Sequence, residues 1–510
     1  MLAMVQSLTL SGMEGYPVQV EVDVSNGLPA FDIVGLPATT VREAKERVRT
    51  ALKNAGFDFP LKRITVNLAP ADLKKEGPGL DLGIAMGILT ATEQIPAEAV
   101  DGIYFLGELS LDGTLRGIPG ILPMASALTD REEVRLVVPQ VNAREGSLVK
   151  GITVLGAETL SQVVRFLRQE GELSRGENNF LLNRDANWTV DFKDIKGQAA
   201  VKRALEVAAA GNHNIMLVGP PGTGKTMLAR ALPGIMPDMA FSEALEVTKV
   251  YSVAGLLPKD QPLIGLRPFR SPHHSASAAS FAGGGKIPKP GEISLANHGV
   301  LFLDELPEFG REVLEALRQP LEDRVITVSR VAASLTYPAR IMVAASLNPC
   351  PCGLATENGG INCTCTPLQV ARYQARISGP LLDRMDIQAE APRVPYEELA
   401  SETEGEPSAA IKQRVERARA VQRERLGSDS ANAEMSPRQV RTFCRLDGTG
   451  KELLQKAYQQ LGLSARAHDR ILKVARTIAD LAGDRQININ HLAEAIQYRA
   501  FDRSMNSRRV

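Results

Sequence analysis

Gly219-Pro220-Pro221-Gly222-Thr223-Gly224-Lys225-Thr226 has the residue types and spacing of a phosphate-binding loop, G-x-x-x-x-G-K-[ST]. Glycines at these positions let successive backbone N–H groups turn inward on phosphate oxygens. The helix that must follow adds partial positive charge at its N-terminus. Lys225 is placed to reach the β- and γ-phosphates, and the Thr226 hydroxyl to ligate Mg²⁺. A second stretch, Val300-Leu301-Phe302-Leu303-Asp304-Glu305, ends an apolar run in two acids. Asp304 is expected to hold Mg²⁺ through water, and Glu305 to orient and deprotonate the water that attacks the γ-phosphate. Together the two stretches point to hydrolysis of ATP with Mg²⁺.

Four of the five cysteines cluster as Cys350, Cys352, Cys363 and Cys365, spaced C-x-C-x10-C-x-C. Two close pairs bracketing a loop can give Zn²⁺ its four thiolates, and a site closed in this way has no open position for catalysis. C-x-C is less typical of zinc than C-x2-C, so four free buried thiols stay open as the alternative. Cys444 stands alone and is expected to pack as a small apolar residue. His273 and His274 offer metal ligands, although hydrogen bonding within a loop is the favoured reading.

These residues need particular elements to hold them. Asn214-Ile215-Met216-Leu217-Val218 reads as a buried strand before the loop, and Met227-Leu228-Ala229-Arg230-Ala231-Leu232 as the helix after it. The Val300–Leu303 run reads as a strand buried on both faces, which sets its acids at the carboxyl edge of an α/β sheet, where ligands bind. Ile341-Met342-Val343-Ala344-Ala345 is another such strand and leads to Asn348. Residues 324–330 and 333–337 form a hairpin between them. Upstream, Asp194-Ile195-Lys196-Gly197-Gln198 opens this module.

Residues 1–170 alternate strands and helices: Val18 to Val24 with period two, Thr40 to Ala55 helical, Ile64 to Leu68 a strand, Leu82 to Thr92 a nearly all-apolar helix. A hairpin turns at Asp112-Gly113. Residues 171–190 are polar and read as a linker. Residues 395–510 are helical, with the stripe Ile471, Val474, Ile478 and Leu481 lying between a Ser464 cap and Gly483, and a further helix near Asn490. From Ser408 onward there are 20 Lys and Arg against 11 Asp and Glu. Such an excess suits a nucleic-acid face but is more often a solvated helical surface. Over the whole chain, 59 basic and 59 acidic residues cancel, so net charge says nothing of partners. The start of the chain has no basic residue before its apolar positions, and no apolar run reaches membrane-spanning length. Few, clustered cysteines suit a reducing compartment, so a cytoplasmic protein free of the membrane is expected.

The N-terminal region resembles the Lon-type protease fold, through Glu76-Gly77-Pro78-Gly79-Leu80-Asp81-Leu82-Gly83 and residues 107–120. Lon's nucleophilic serine would fall at or near Asp81 and its lysine near Leu122, so proteolysis is disfavoured and a binding platform is implied. The strands around the phosphate loop resemble those of AAA+ ATPases. That resemblance makes Asn348 sensor 1, matches Arg384 in Ser378-Gly379-Pro380-Leu381-Leu382-Asp383-Arg384-Met385-Asp386 to the arginine finger, and matches Arg466 to sensor 2, which reaches the phosphates from the lid. A finger acting in trans implies a ring, hexameric by family. The inserted Arg267-Pro268-Phe269-Arg270-Ser271-Pro272-His273-His274, Gly283-Gly284-Gly285-Lys286 and the hairpin resemble pore insertions of the clade that includes MCM helicases and magnesium chelatases. In that setting Arg267, Arg270, Lys286, Lys289 and Arg330 are candidate DNA phosphate contacts.

Nearly the whole chain is similar to the ComM/YifB family, most specifically at 269–274, 290–296, 303–309 and 348–353. The resemblance implies a hexameric, ATP-driven branch-migration helicase that integrates single strands during natural transformation, with DNA and recombination proteins as partners. The implied fold is α/β: a Lon-like α+β domain (1–170), a linker (171–190), an AAA+ core with a zinc loop at 350–365 (191–394) and a helical lid (395–510). A chelatase-like or protein-remodelling motor is the alternative. The cysteine cluster and Lon-like region weigh against it.

Overall fold

The computed structural model describes every residue except 132, 178–189, 259, 286–287, 331–332, 356–361, 402–403, 428–429, 462 and 500–510, and leaves aside the side chains of 330 and 333. In the N-terminal region β1 (Leu2–Ser11) pairs antiparallel with β2 (Glu14–Ser25), whose Val18, Val20, Val22 and Val24 are buried while alternate residues are half-exposed. This is the period-two pattern of a strand with one dry face. β3 (Ala30–Val34) runs parallel to β4 (Arg63–Ala69), and β5 (Ile103–Phe105) parallel to β1. The short pair β6 (Glu108–Leu109) and β7 (Leu115–Arg116) is the hairpin expected at Asp112-Gly113. β8 (Arg135–Pro139), β9 (Thr153–Ala157) and β10 (Ser174–Arg175) complete a mixed sheet of eight strands, ordered β10-β9-β8-β5-β1-β2-β4-β3.

Helix Asp81–Ala91 is buried at every residue, so it carries no polar face. It lies so close to the sheet that a Cβ at Gly87 would meet Val22 Cγ2 at 2.5 Å. The helix expected over Thr40 to Ala55 comes as two pieces, Thr39–Arg42 and Ala44–Asn54. The Arg47 guanidinium takes the Thr40 carbonyl at 3.1 Å, competing with the helical backbone bond at the break.

The central sheet is parallel throughout. It consists of β11 (Ile215–Val218), β12 (Phe269–Arg270), β15 (Val300–Leu303), β18 (Met342–Leu347) and β19 (Ile387–Glu390), ordered β12-β15-β18-β11-β19. The unbroken burial of β11, β15 and β18 is what a parallel sheet covered on both faces demands. Two hairpins stand apart from this sheet, β13 (Gly283–Gly284) with β14 (Lys289–Pro290), and β16 (Val325–Arg330) with β17 (Ala333–Pro338). The Tyr337 hydroxyl on β17 donates to the Pro288 carbonyl at 2.7 Å and ties the two hairpins together.

The C-terminal helices Ser408–Leu426, Pro437–Phe443, Gly448–Leu461, Ala465–Ala482 and Ile489–Gln497 share a core with the sheet's helix Ala199–Gly211, joining Val415, Ala418, Ile471 and Val474 to Leu205 and Ala208. Ser464 caps Ala465–Ala482 by accepting from the Ala467 N–H, and Gly483 ends it at φ 79°, as expected. A second core runs from the N-terminal region into helix Phe241–Ala254, joining Leu8, Ile121 and Leu136 to Met239, Ala244 and Val247. At that junction the Ser252 hydroxyl accepts from the Gly120 N–H at 3.0 Å and donates to the buried Glu145. Burial pushes the Glu145 carboxyl above its usual range. Among the described residues, no helix is long and apolar enough to cross a membrane.

Candidate functional site

Phosphate-binding geometry begins where β11 ends. A Cβ at Gly219 would lie 2.2 Å from the Ala391 carbonyl oxygen, so only glycine lets the chain turn beside β19. Gly222 and Gly224 sit at φ 79° and 81°, with nothing within 4 Å of the space a side chain would fill. Their amides line an open cradle ahead of helix Lys225–Ala231. The Lys225 ammonium donates to Gly219 O at 2.7 Å, Pro220 O at 2.8 Å and Asn348 Oδ1 at 3.2 Å. Burial lowers its pKa, and the charges of Asp304 and Glu305 act in the opposite direction.

The two acids follow β15 across this cradle. The Thr226 hydroxyl donates to Asp304 Oδ2 at 2.8 Å, while the Ser346 hydroxyl donates to Asp304 Oδ1. The same Ser346 oxygen accepts the Glu305 N–H at 3.2 Å. Glu305 takes a left-handed backbone at φ 54°, a strained turn for a non-glycine residue that leaves its carboxylate exposed at the carboxyl edge of the sheet.

Sequence reasoning missed Ser346; its signal is a lone polar residue in an otherwise apolar strand. It also gave no role to Gln198, whose Nε2 donates to Thr223 O at 3.3 Å and Pro392 O at 2.6 Å, and whose Oε1 is buried with no partner. A nucleotide and its metal fit these residues. The cradle amides and Lys225 suit phosphate, the Thr226 and Asp304 oxygens suit a hard cation, and Gln198 Oε1 offers an unused acceptor.

Arg384, expected to act on a neighbour, and Arg466, expected at the phosphates from the lid, both lie away from the loop. The Arg384 carbonyl accepts from Asn214 Nδ2 at 3.1 Å, and Asn214 immediately precedes β11, so Arg384 belongs to the amino edge of the sheet, opposite the loop. Its guanidinium does not project freely: it is buried, with Nη1 donating to Pro380 O at 2.6 Å and Nη2 paired to Glu322. Arg466, 64% exposed, reaches the same Glu322 carboxylate at 3.8 Å. Arg466 therefore lies with Arg384 at the edge opposite its own chain's phosphate loop. Burial and the nearby charges of Arg466, Arg470 and Arg318 lower the Arg384 pKa. Behind this cluster, burial of Asp386 opposes its ionisation. Arg470 at 2.7 Å, His213 and the Asn214 N–H outweigh it and hold the carboxyl well below the usual range.

The four clustered sulfurs meet. Cys350, Cys352, Cys363 and Cys365 have their Sγ atoms within 4.8 Å of one another. The separations from Cys350 to Cys352, from Cys350 to Cys363 and from Cys352 to Cys363 are 3.3, 3.7 and 3.6 Å. Zn–S bonds of about 2.3 Å put tetrahedral sulfurs about 3.8 Å apart. A hydrogen bond from the Leu354 N–H, outweighing burial, pulls the Cys352 thiol down to about 6. For Cys365, the Cys352 N–H acts downward, but burial and the neighbouring sulfurs push the thiol up to about 12. Crowded thiols of this kind ionise together only around a cation.

Known proteins are similar to this chain over nearly its whole length. The family model for magnesium chelatase, subunit ChlI, matches residues 191–399, and its C-terminal counterpart matches 405–499. The competence protein ComM of Haemophilus influenzae is 47% identical over 508 residues, 98% of each chain. The uncharacterized protein YifB of Escherichia coli is 45% identical over 504 residues, again 98% of each. The chain belongs to the ComM/YifB family of magnesium-chelatase-like AAA+ proteins. A model described as subunit ChlI of Mg-chelatase also matches residues 20–142 of this ComM/YifB chain. The N-terminal region therefore does not by itself separate it from chelatase subunits, contrary to expectation.

A match of 146 residues, 31% identical, to Lon protease 2 of Bacillus subtilis, 26% of each chain, is consistent with a Lon-like N-terminal region. Its position for a nucleophile is closed. Asp81 is buried against Arg47, which donates to its two oxygens at 2.7 and 3.0 Å. Burial outweighs that pairing and pushes the carboxyl up to about 6. Leu122 is wholly buried in helix Ile121–Ser126 and supplies no amine.

Two expected DNA contacts are corrected. Arg267 spends its donors on Pro237 O at 2.6 Å, His298 O at 2.7 Å, Asp238 O and Glu243. It braces loops at the amino edge and is not available to a phosphate. Arg270 forms a bidentate pair with Glu292, both bonds 2.7 Å, which neutralises it. Lys289 on β14 is exposed. Lys286 and the Arg330 side chain lie outside the described residues. His273 bonds Ser275 Oγ at 2.8 Å and its ring lies 4.1 Å from that of His274, the within-loop arrangement that was favoured.

Proposed function

We propose that this chain is an ATPase subunit of a hexameric DNA motor, which drives branch migration and integrates single strands by homologous recombination during natural transformation. The observation that carries the reading is the division of catalytic groups between opposite edges of one sheet. Lys225, Thr226, Asp304, Glu305 and Asn348 gather at the carboxyl edge, and Arg384 and Arg466 share Glu322 at the amino edge. Neither arginine lies at its own loop; Arg466 is exposed, Arg384 must first release Glu322, and copies arranged head to tail would bring both to a neighbour's loop in a ring. The Haemophilus influenzae relative is a competence protein, which supports the biological setting.

Lys225 and the loop amides bind the triphosphate. Thr226 and Asp304 would hold Mg²⁺, which would supply charge neutralisation at the phosphates. Glu305 takes the proton of the attacking water, Asn348 positions that water, and on assembly Arg384 exchanges Glu322 for the neighbour's γ-phosphate with Arg466 beside it. The four cysteines would hold Zn²⁺. Lys289, with Lys286 and Arg330 on the hairpins, contacts DNA in the pore, and the basic lid adds to the field. We further infer a cytoplasmic location and the division into domains at about residues 170, 190 and 394.

Strand exchange on a labelled four-way or three-strand junction tests this. ATP-dependent resolution by the wild type, lost in Lys225→Ala, is the expected result. No resolution, together with ATPase activity indifferent to DNA, would move the reading to a motor that remodels a protein partner.

A further inference from the structure

We propose that the four-cysteine site is a structural zinc centre that props the nucleotide site, so that zinc occupancy controls ATP binding although the metal touches no part of the nucleotide. This rests on reading residues 219–226 as the nucleotide loop. The cysteine segment is connected to that loop on three sides.

β18 runs directly into it: the Gly219 N–H donates to Leu347 O at 3.2 Å, Asn348 accepts from Lys225, and Cys350, two residues on, is wholly buried. The turn closed by the Gly353 N–H on Cys350 O at 3.0 Å presses against the loop itself. Gly353 sits at φ 83°, and a Cβ there would lie 2.4 Å from Pro221 Cδ. The returning chain enters helix Pro367–Gln374, where Gln374 Nε2 donates to Pro349 O at 3.1 Å and the Tyr373 hydroxyl meets the Asn348 backbone. Asn348 is therefore gripped from both ends of the cysteine segment.

Among the described residues of 350–365 there is no helix or strand, so no backbone ladder among them sets the distance between the two cysteine pairs. The sulfurs set it, and their separations match a tetrahedral site around one cation. With the cation gone, the pairs separate, Gly353 leaves Pro221, and Asn348 loses its fixed distance from Lys225.

The test uses the full-length chain. Metal analysis of the purified protein is expected to find one zinc per chain. Removing it with a zinc-selective chelator, Mg²⁺ being left in place, is expected to speed hydrogen exchange in peptides covering 219–226 and 343–349. Affinity for a fluorescent ATP analogue should fall about tenfold or more, as for other groups that orient a site from behind. Exchange in helix Asp81–Ala91 should stay unchanged, and stoichiometric Zn²⁺ should reverse both effects. Gly353→Ala should keep its zinc yet weaken nucleotide binding, because the added methyl displaces Pro221.

Zinc loss that leaves exchange and affinity at their starting values overturns the proposal, as does a Gly353→Ala chain with wild-type affinity. A chain that neither carries nor takes up zinc overturns it at the metal. If the zinc-loaded chain binds no nucleotide while exchange at 219–226 still rises on zinc removal, the nucleotide reading fails and the prop stands.

Discussion

Glu305 shows how much one backbone torsion decides. Its left-handed φ of 54° and the Ser346 hydroxyl on its N–H leave the carboxylate exposed, close enough for its charge to act on Lys225. Asp304 is already bonded to Thr226 and Ser346, so the proposed mechanism gives proton transfer to Glu305. Glu305→Gln is isosteric and leaves the cradle intact. It should bind ATP with near wild-type affinity while kcat falls by about 10²- to 10⁴-fold, the usual worth of a positioned general base. Steady-state hydrolysis and nucleotide titration on the same preparation check this. Normal turnover in the variant would remove Glu305 from the mechanism. The arginines teach the opposite lesson at this scale. Arg267 and Arg270 looked like cations in search of phosphate, and both are consumed by carbonyls and by Glu243 and Glu292.

Among elements, the strands were readable because a parallel sheet buried on both faces leaves a plain record in the sequence. β11 and β15 are short wholly apolar runs, each followed by its functional residues at the carboxyl edge. Helix Ala465–Ala482 was readable for a similar local reason, with a serine cap, an apolar stripe and a terminal glycine all close in sequence. The edge that Arg466 faces was not readable. It depends on a contact with Glu322 that no spacing encodes, and the resemblance to sensor 2 supplies a role without a direction.

The latch at the start of β15 was equally hidden. His298 Nε2 lies 2.7 Å from Glu246 and its Nδ1 3.3 Å from Glu243, both on helix Phe241–Ala254, and Arg267 bonds Glu243 and the His298 carbonyl. Burial opposes protonation of His298, but the two glutamates outweigh it and raise its pKa. A base raised on folding stabilises fully below its unfolded pKa of about 6.5, and that contribution fades as pH rises through the folded value. His298→Asn, which tolerates the positive φ, should therefore lower the melting temperature most near pH 6. The gap to wild type should narrow toward pH 9. A gap constant across that range would show that charge is not what His298 contributes.

For the molecule as a whole, the separation of catalytic groups between two edges of one sheet has a consequence for assembly. In the proposed assembly a single copy keeps its phosphate loop at one edge and Arg384 and Arg466 at the other, and contact between copies would bring them together. The shared cores make this arrangement stiff. One joins the lid to helix Ala199–Gly211, and another joins the N-terminal sheet to helix Phe241–Ala254, so both pack on elements of the central region. The hairpins also meet the N-terminal region, because Leu335 on β17 rests against Gly12 in its first turn.

The sharing of one nucleotide site between two copies is tested most directly by mixing inactive subunits. Lys225→Ala subunits keep their arginines but lose their loop, and Arg384→Ala subunits keep their loop but lose the arginine. Each alone should hydrolyse ATP at least about 10³-fold more slowly than wild type, as expected for loss of a phosphate-binding lysine or an arginine finger. Mixed in equal amounts with branched DNA, they should regain a substantial fraction of wild-type ATPase, since some interfaces pair an intact loop with an intact arginine. Activity in the mixture no higher than the mean of its two components would contradict the shared site and return Arg384 to its pairing with Glu322 as a purely structural residue.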